Sequence, residues 1–313
     1  MVHQNSKELK SPQYPKIYFW ELLKVVPLLF TVLLLFACAS APKPETFYEG
    51  RSGFALMAEG AELYITAKVQ SVRPILDSLT LGGMNGGELK DFLDVSDVLT
   101  AAFFPPTDVW HFYAAASGSF PSARGEIYFG SSKSWEKKLS AAGMPYWYSP
   151  QSRLSVSLNS RMAYLSDADP FVPPPGAQFP QALSALQKGA VLSGWMNDPA
   201  RAFGNVAAAF PVPVTIPAKR MLFAVYPEPS GQYSAVLHLE TPSPAQAAAL
   251  IRAFALAKLA LAVADFSGDE EIEILSRAFF SQTPKAEGNV VILNTGVMEG
   301  KSVALLFNAF SVY

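Results

Sequence analysis

Apolar positions along this chain fall into three textures, and each predicts a different kind of element. The first is a continuous run, Val25 to Ala37, thirteen residues without a charge. The second is a series of short stretches rich in β-branched and aromatic residues, bounded by Pro, Gly, Asn and Ser, which read as strands. The third is the run Ala245 to Ala264, where only Arg252 and Lys258 are charged. At about 100° per residue this run is a helix apolar on two faces, with Leu250, Phe254 and Leu261 on one and Leu256, Leu259 and Val263 nearly opposite.

The strand-like stretches recur. Leu99 to Pro106 aligns with Leu222 to Pro227, and Ser119 to Ser122 with Glu240 to Ser243, at a near-constant offset of about 120 residues. Upstream, Gly60 to Leu63 pairs with Gly189 to Leu192. Each copy starts with a strand (Glu62 to Ala67; Val191 to Met196) and a short helix whose proline, Pro74 or Pro199, is expected in its first turn. Two strands follow in each, Val98 to Phe104 with Val109 to Ser117, and Met221 to Tyr226 with Tyr233 to Glu240. Their turn-like links predict antiparallel hairpins. A second helix comes next, with Ser243 as cap and Pro244 first in one copy, Ser122 in the matching place in the other. In the first copy it is expected around Gly125 to Leu139. Closing strands are Leu154 to Leu158 and Met162 to Leu165 in the first copy and Asn289 to Asn294 in the second; Ser302 to Phe310 reads as strand or helix.

The expected fold is therefore α+β, two copies of a strand-helix-hairpin-helix-strand unit forming an antiparallel sheet packed by helices. Its organisation reads as a leader at 1–37, a tether at 38–45, the first repeat at 46–168, a Pro-rich linker at 169–182 and the second repeat at 183–313. The second repeat carries an apolar helical hairpin at 244–280, because Ser267 to Glu271 is a helix start and Ile272, Leu275 and Phe279 follow at helical spacing. Such a hairpin is either a core element between sheet and partner or a surface that takes a lipid chain. Leu250, Phe254, Leu261, Leu275 and Phe279 are the candidate lipid or membrane contacts.

The N-terminal run adds location. Lys7, Lys10, Lys16 and Lys24 precede it, and its thirteen residues suit a signal-peptide core rather than a span of about 20. It ends at Cys38, the single cysteine. Leu35-Phe36-Ala37-Cys38 resembles a bacterial lipobox, with Phe36 where the strictest pattern has a small residue. The resemblance implies lipid attachment to Cys38. The competing readings are an ordinary secretory signal with an incidental cysteine, and an uncleaved anchor helix flanked by Phe19 and Trp20. Ala39 to Pro44 suits a short tether.

Charge and chemistry narrow the function. The chain is 50% hydrophobic and 16% charged, with net charge −2. Removing residues 1–37, with four lysines and two glutamates, takes it to −4. With no basic cluster, nucleic acid is excluded as a partner. One cysteine permits no disulfide framework.

His111 and His238 lack metal-ligand spacing, so no metal site is expected. The glycines of Gly82 to Gly87 are not followed by a P-loop lysine. No GxSxG, HExxH or SxxK constellation supports a nucleophile. The chain therefore reads as a non-enzyme without cofactors. Trp110, Phe112, Tyr113, Tyr146, Trp147 and Tyr148 read as core or hairpin-edge aromatics, or as a lipid- or glycan-facing patch.

The lipobox, the paired α+β units, the stretch Ala116 to Pro121 leading to Ser134-Trp135, and the apolar helices together resemble treponemal (spirochaete) outer-membrane lipoproteins with amphipathic helices. That resemblance implies the inner leaflet of the outer membrane, helix insertion and lipid carriage, with Cys38 as the lipidated position. The expected function is a lipid-anchored envelope protein that binds lipid or inserts apolar helices into the periplasmic leaflet. Its alternative is a non-catalytic scaffold with an envelope protein partner.

Overall fold

The computed structural model describes residues 53–76, 93–105, 112–171 apart from 142 and 152, 177–200, 217–263, 273, 277–278 and 280–304, the side chains at 124 and 261–263 aside. The leader with Cys38, the tether, Gly82 to Gly87, His111, Leu275 and Phe279 lie outside those residues, as do most of 264–276 and 305–313.

Among the described residues twelve strands form one sheet: β1 (Leu63–Lys68), β2 (Ser96–Phe103), β3 (Phe112–Gly118), β4 (Glu136–Leu139), β5 (Pro145–Ser149), β6 (Leu154–Leu158), β7 (Met162–Ser166), β8 (Leu192–Asn197), β9 (Arg220–Pro227), β10 (Tyr233–Glu240), β11 (Lys285–Glu287) and β12 (Val290–Asn294). Their spatial order is β11-β12-β10-β9-β8-β1-β2-β3-β7-β6-β5-β4. Every pairing is antiparallel. The protein is thus a mixed α/β molecule built on a large antiparallel sheet. The seam at its centre is β1 against β8, with Leu63 opposite Met196, Ile65 opposite Gly194 and Ala67 opposite Leu192.

Side-chain alternation gives the sheet two different faces. One cross-strand row runs Ala67, Leu99, Ala116, Ala163, Leu158, and it lies under the helices. On this side one core gathers Val72, Ile75, Phe223, Leu237, Leu250 and Leu293. A second gathers Phe120, Phe129, Trp135, Trp147, Leu154 and Val156.

The opposite face is read from another row, Lys285, Ile292, His238, Leu222, Trp195, Tyr64, Ala102, Tyr113, Ser166, Ser155, Tyr148, Glu136. Its centre is aromatic and apolar and its wings are polar. Only the centre carries a core there, closed by Phe54, Leu56, Met57, Leu183 and Leu186. Tyr64 stacks on Trp195 at 4.2 Å and Phe54 meets Trp195 edge-on at 4.6 Å. The Tyr64 hydroxyl accepts from Ala61 N and donates to Ala58 O, which ties that cover to β1.

Strands buried on both faces sit in the middle, as in β8 and β9, whereas β10 alternates strictly. The outermost strands, β4 and β11, are short and carry Glu136, Lys137, Lys138, Lys285 and Glu287. Charge on a short edge strand disfavours pairing with another chain.

Helices among the described residues include α1 (Val69–Leu76), α2 (Ser122–Ser131), α3 (Leu183–Gln187) and α4 (Pro244–Val263). Three local expectations are corrected. Pro74 lies in the second turn of α1, not its first, so the ring removes the bond that residue would have given to the Gln70 carbonyl. Ser122 is the first residue of α2; Pro121 is the cap and supplies no side-chain bond. The helix expected over Gly125 to Leu139 ends at Ser131, and Glu136 to Leu139 is instead β4 beside β5. Trp135 explains the break: buried against Phe129 at 4.8 Å, it starts a new direction in which Lys137 and Lys138 lie over the Trp147 and Tyr148 rings.

Candidate membrane-facing site

Helix α4 begins where β10 leaves the sheet. Ser243 caps it, its Oγ accepting from Gln246 N at 3.3 Å and its carbonyl from Ala247 N at 3.0 Å. Pro244 then occupies the first helical position, where a missing N–H costs nothing. Ala247, Leu250, Phe254 and Ala257 follow at helical spacing and are all buried. They face the sheet side formed by Leu237, Leu239, Val291 and Leu293, and Phe254 meets the Phe280 ring at 5.8 Å.

The other side of α4 is unlike an ordinary helix surface. Arg252, Leu256 and Leu259 share a face at i, i+4 and i+7 and are exposed, while Lys258, also exposed, lies about 100° round the helix from Leu259, towards the Phe254 edge. Leu256 is 61% and Leu259 67% exposed. Burying a leucine contributes roughly 1.5–3 kcal/mol, so two exposed leucines forgo several kcal/mol that a partner surface could supply. The helix contains no acidic residue. This side of α4 is thus an apolar strip with Arg252 within it, open to solvent.

Two of the five sequence-derived contacts, Leu250 and Phe254, thus lie on the core side of α4, at 1% and 7% exposure. Leu261 is on α4 with its side chain outside the described set, and Leu275 and Phe279 fall outside the described residues. The helix periodicity identified two apolar faces; Leu256 and Leu259, on the other one, are those that meet solvent. The signal that decides between them is Arg252, which falls between Leu256 and Leu259 around the helix.

The remaining candidates are placed as follows. Trp147 packs in a core with its ring stacked on Phe129, and its Nε1 donates to Glu126 at 3.4 Å. Lys137 bridges the same Glu126 at 3.0 Å, and Lys138 sits 3.9 Å from the Tyr148 ring. Beside them Ile127 and Leu139 are each 70% exposed. Burial pushes the Tyr146 phenol above its ordinary value, with Asp169 and Tyr148 adding to the effect.

His238 lies on the polar wing of the second face. Burial lowers its pKa, opposed by the charges of Glu287 and Glu240. Among the described residues no three metal-ligating side chains gather, and no helix is long and apolar enough to cross a membrane.

No protein-family model matches the chain, and no curated protein matches it. Solved structures do. Crystal form III of TP0453, a treponemal protein, superposes with a TM-score of 0.57 at 16% identity, covering 83% of this chain and 99% of that one. Crystal form IV gives 0.57 at 15% identity, with 83% and 98% covered. Crystal form I gives 0.55 at 15% identity, with 84% and 98% covered. In fold, the chain is similar to TP0453 over nearly the whole of that protein's length.

Proposed function

We propose that this chain is a non-catalytic lipoprotein of the bacterial envelope. Acyl chains on Cys38 hold it at the periplasmic face of the outer membrane, and the outer face of α4 binds lipid or lies in the leaflet. The observation that carries the reading is the strip Leu256 and Leu259 with Arg252 between them, apolar but for that one cation and open to solvent. The fold likeness to a treponemal protein supports it, and so does the signal-like run ending at Cys38. Two or more acyl chains anchor stably, whereas one gives only marginal binding, so the lipid anchor and α4 act as two separate attachments.

The sheet itself reads as two copies of one unit. Outward from the seam, β1-β2-β3-β7-β6 on one side matches β8-β9-β10-β12-β11 on the other. The seam supports a twofold relation, because the pair Leu63 and Met196 is mirrored by Ala67 and Leu192 about Ile65 and Gly194.

Native mass spectrometry of the purified protein tests the lipid reading. A retained adduct of lipid mass, depleted in a Leu256→Asp/Leu259→Asp variant, is expected. A bare polypeptide that instead pulls down a stoichiometric envelope protein would favour a scaffold, docking through the exposed Ile127 and Leu139.

A further inference from the structure

Away from α4, an open cavity of about 580 Å³ is lined by Asp97, Ser117, Gly118, Ser119, Ser160 and Arg161, with Met162 beside them. Its construction starts with a break in the β2–β3 ladder. Ser96 is opposite Gly118 and Val98 is opposite Ser117, which leaves Asp97 as an extra residue with no partner across the strands. Such a bulge re-aims a side chain. Here it brings the two backbones so close that any side chain on Gly118 would collide with the Val95 carbonyl oxygen.

The opposite wall is the β6–β7 turn. Asn159 Oδ1 accepts from Arg161 N at 2.7 Å and from Met162 N at 2.8 Å, which sets the direction in which Arg161 leaves the turn. Gly118 N donates to Arg161 O at 2.9 Å and Phe120 N to Ser160 O at 3.1 Å, so the walls are fixed to each other by backbone bonds.

Nothing in the described structure neutralises what these walls carry. Asp97 and Arg161 are exposed, and neither forms an ion pair with another described residue.

The second half of the sheet provides an internal comparison. By strand register the counterparts of Ser117, Gly118 and Arg161 are Glu240, Thr241 and Asn289. There the ladder runs without a bulge, from Tyr233 opposite Pro227 to Glu240 opposite Arg220. Thr241 is buried and its Oγ1 donates to Asn289 O at 2.7 Å, while Asn289 Nδ2 donates back to Thr241 O at 3.0 Å. Arg220 lies 3.7 Å from Glu240. Where Thr241 and Asn289 bond each other at one site, the other has a glycine and an arginine without an ion pair among the described residues, beside an inserted aspartate.

We propose that this cavity binds a small zwitterion that carries a phosphate and an ammonium a few bonds apart, the chemistry of phosphoethanolamine. The Arg161 guanidinium matches a phosphate in a two-point contact. Ser117, Ser119 and Ser160 can donate hydroxyls to the remaining oxygens. Asp97 takes the ammonium, and it disfavours a bare anion. The volume falls within the roughly 300–1,000 Å³ of small-molecule clefts. The contrast with Thr241 and Asn289 rests on the two-copy reading; the cavity does not depend on α4.

Calorimetric titration of the purified full chain tests the assignment, with phosphoethanolamine, inorganic phosphate and ethanolamine as probes. Saturable binding of phosphoethanolamine with Kd below about 1 mM is expected. Arg161→Gln and Asp97→Asn should each weaken it about tenfold or more, with Asp97→Asn sparing inorganic phosphate. Both changes are at exposed side chains, so circular dichroism should stay unchanged. Phosphatidylethanolamine vesicles that compete in an Arg161-dependent way identify a lipid headgroup as the source, and their failure to compete identifies the free compound. Absence of saturable phosphoethanolamine binding, or binding indifferent to both variants, would overturn the proposal. The Leu256→Asp/Leu259→Asp variant should titrate like the parent, which separates this site from the membrane face.

Discussion

Ser155 carries a hydroxyl that the sheet does not accommodate. The residue is 1% exposed and its Oγ has no hydrogen-bond partner. Across the ladder, Ser166 has its own bond, accepting from Ala168 N at 3.0 Å. A buried hydroxyl without a partner carries a desolvation cost of about 1–3 kcal/mol. Ser155→Ala should therefore raise the stability measured by urea denaturation by about 1 kcal/mol. A loss of stability would mean that the hydroxyl is bonded in solution. At the cavity the charged Asp97 and Arg161 are by contrast exposed, so water serves them. That cavity was not legible in the sequence, because the surplus residue in β2 shows only when strands 2 and 3 are registered against each other.

At the scale of elements, the seam between β1 and β8 is what makes one sheet of two halves. Gly194 is placed there for a steric reason. A Cβ at this position would collide with the Tyr64 carbonyl oxygen and lie 2.7 Å from the Phe223 ring. Overpacking costs typically about 1–3 kcal/mol, so Gly194→Ala should cost at least about 3 kcal/mol, since one of its contacts is backbone. A thermal-melt series that found this variant as stable as the parent would contradict the observed register.

The strands that pair here were readable because alternation and turn residues agree, as in Tyr233 to Glu240 and the Gly231 turn before it. Asn159 and the two strands it joins were readable for the same reason. What was not readable depended on tertiary contact. Lys137 and Lys138 look like a helix end until Trp135 is buried against Phe129, and Pro74 is tolerated in the second turn of an α1 packed on the core. Likewise, Ala245 to Ala264 announces two apolar faces, but which one meets the sheet is decided by where β10 delivers Ser243.

For the whole molecule, these pieces give one continuous sheet with different exposures at its two ends. One end bears α4, whose basic and apolar outer face is uncovered in the described structure; the other bears the aromatic core around Trp147 and the polar cavity. The fold is shared with TP0453, and in the function proposed above α4 is the feature on which membrane engagement turns. On that proposal, engagement through α4 is separable from anchoring through Cys38, since the two contacts would be chemically independent. The decisive measurement is liposome flotation of a form that begins at Ala39 and so lacks the lipid. The account predicts that it floats with anionic vesicles and that Leu256→Asp/Leu259→Asp leaves it at the bottom of the gradient. An unlipidated parent protein that stays at the bottom with every vesicle composition would contradict it.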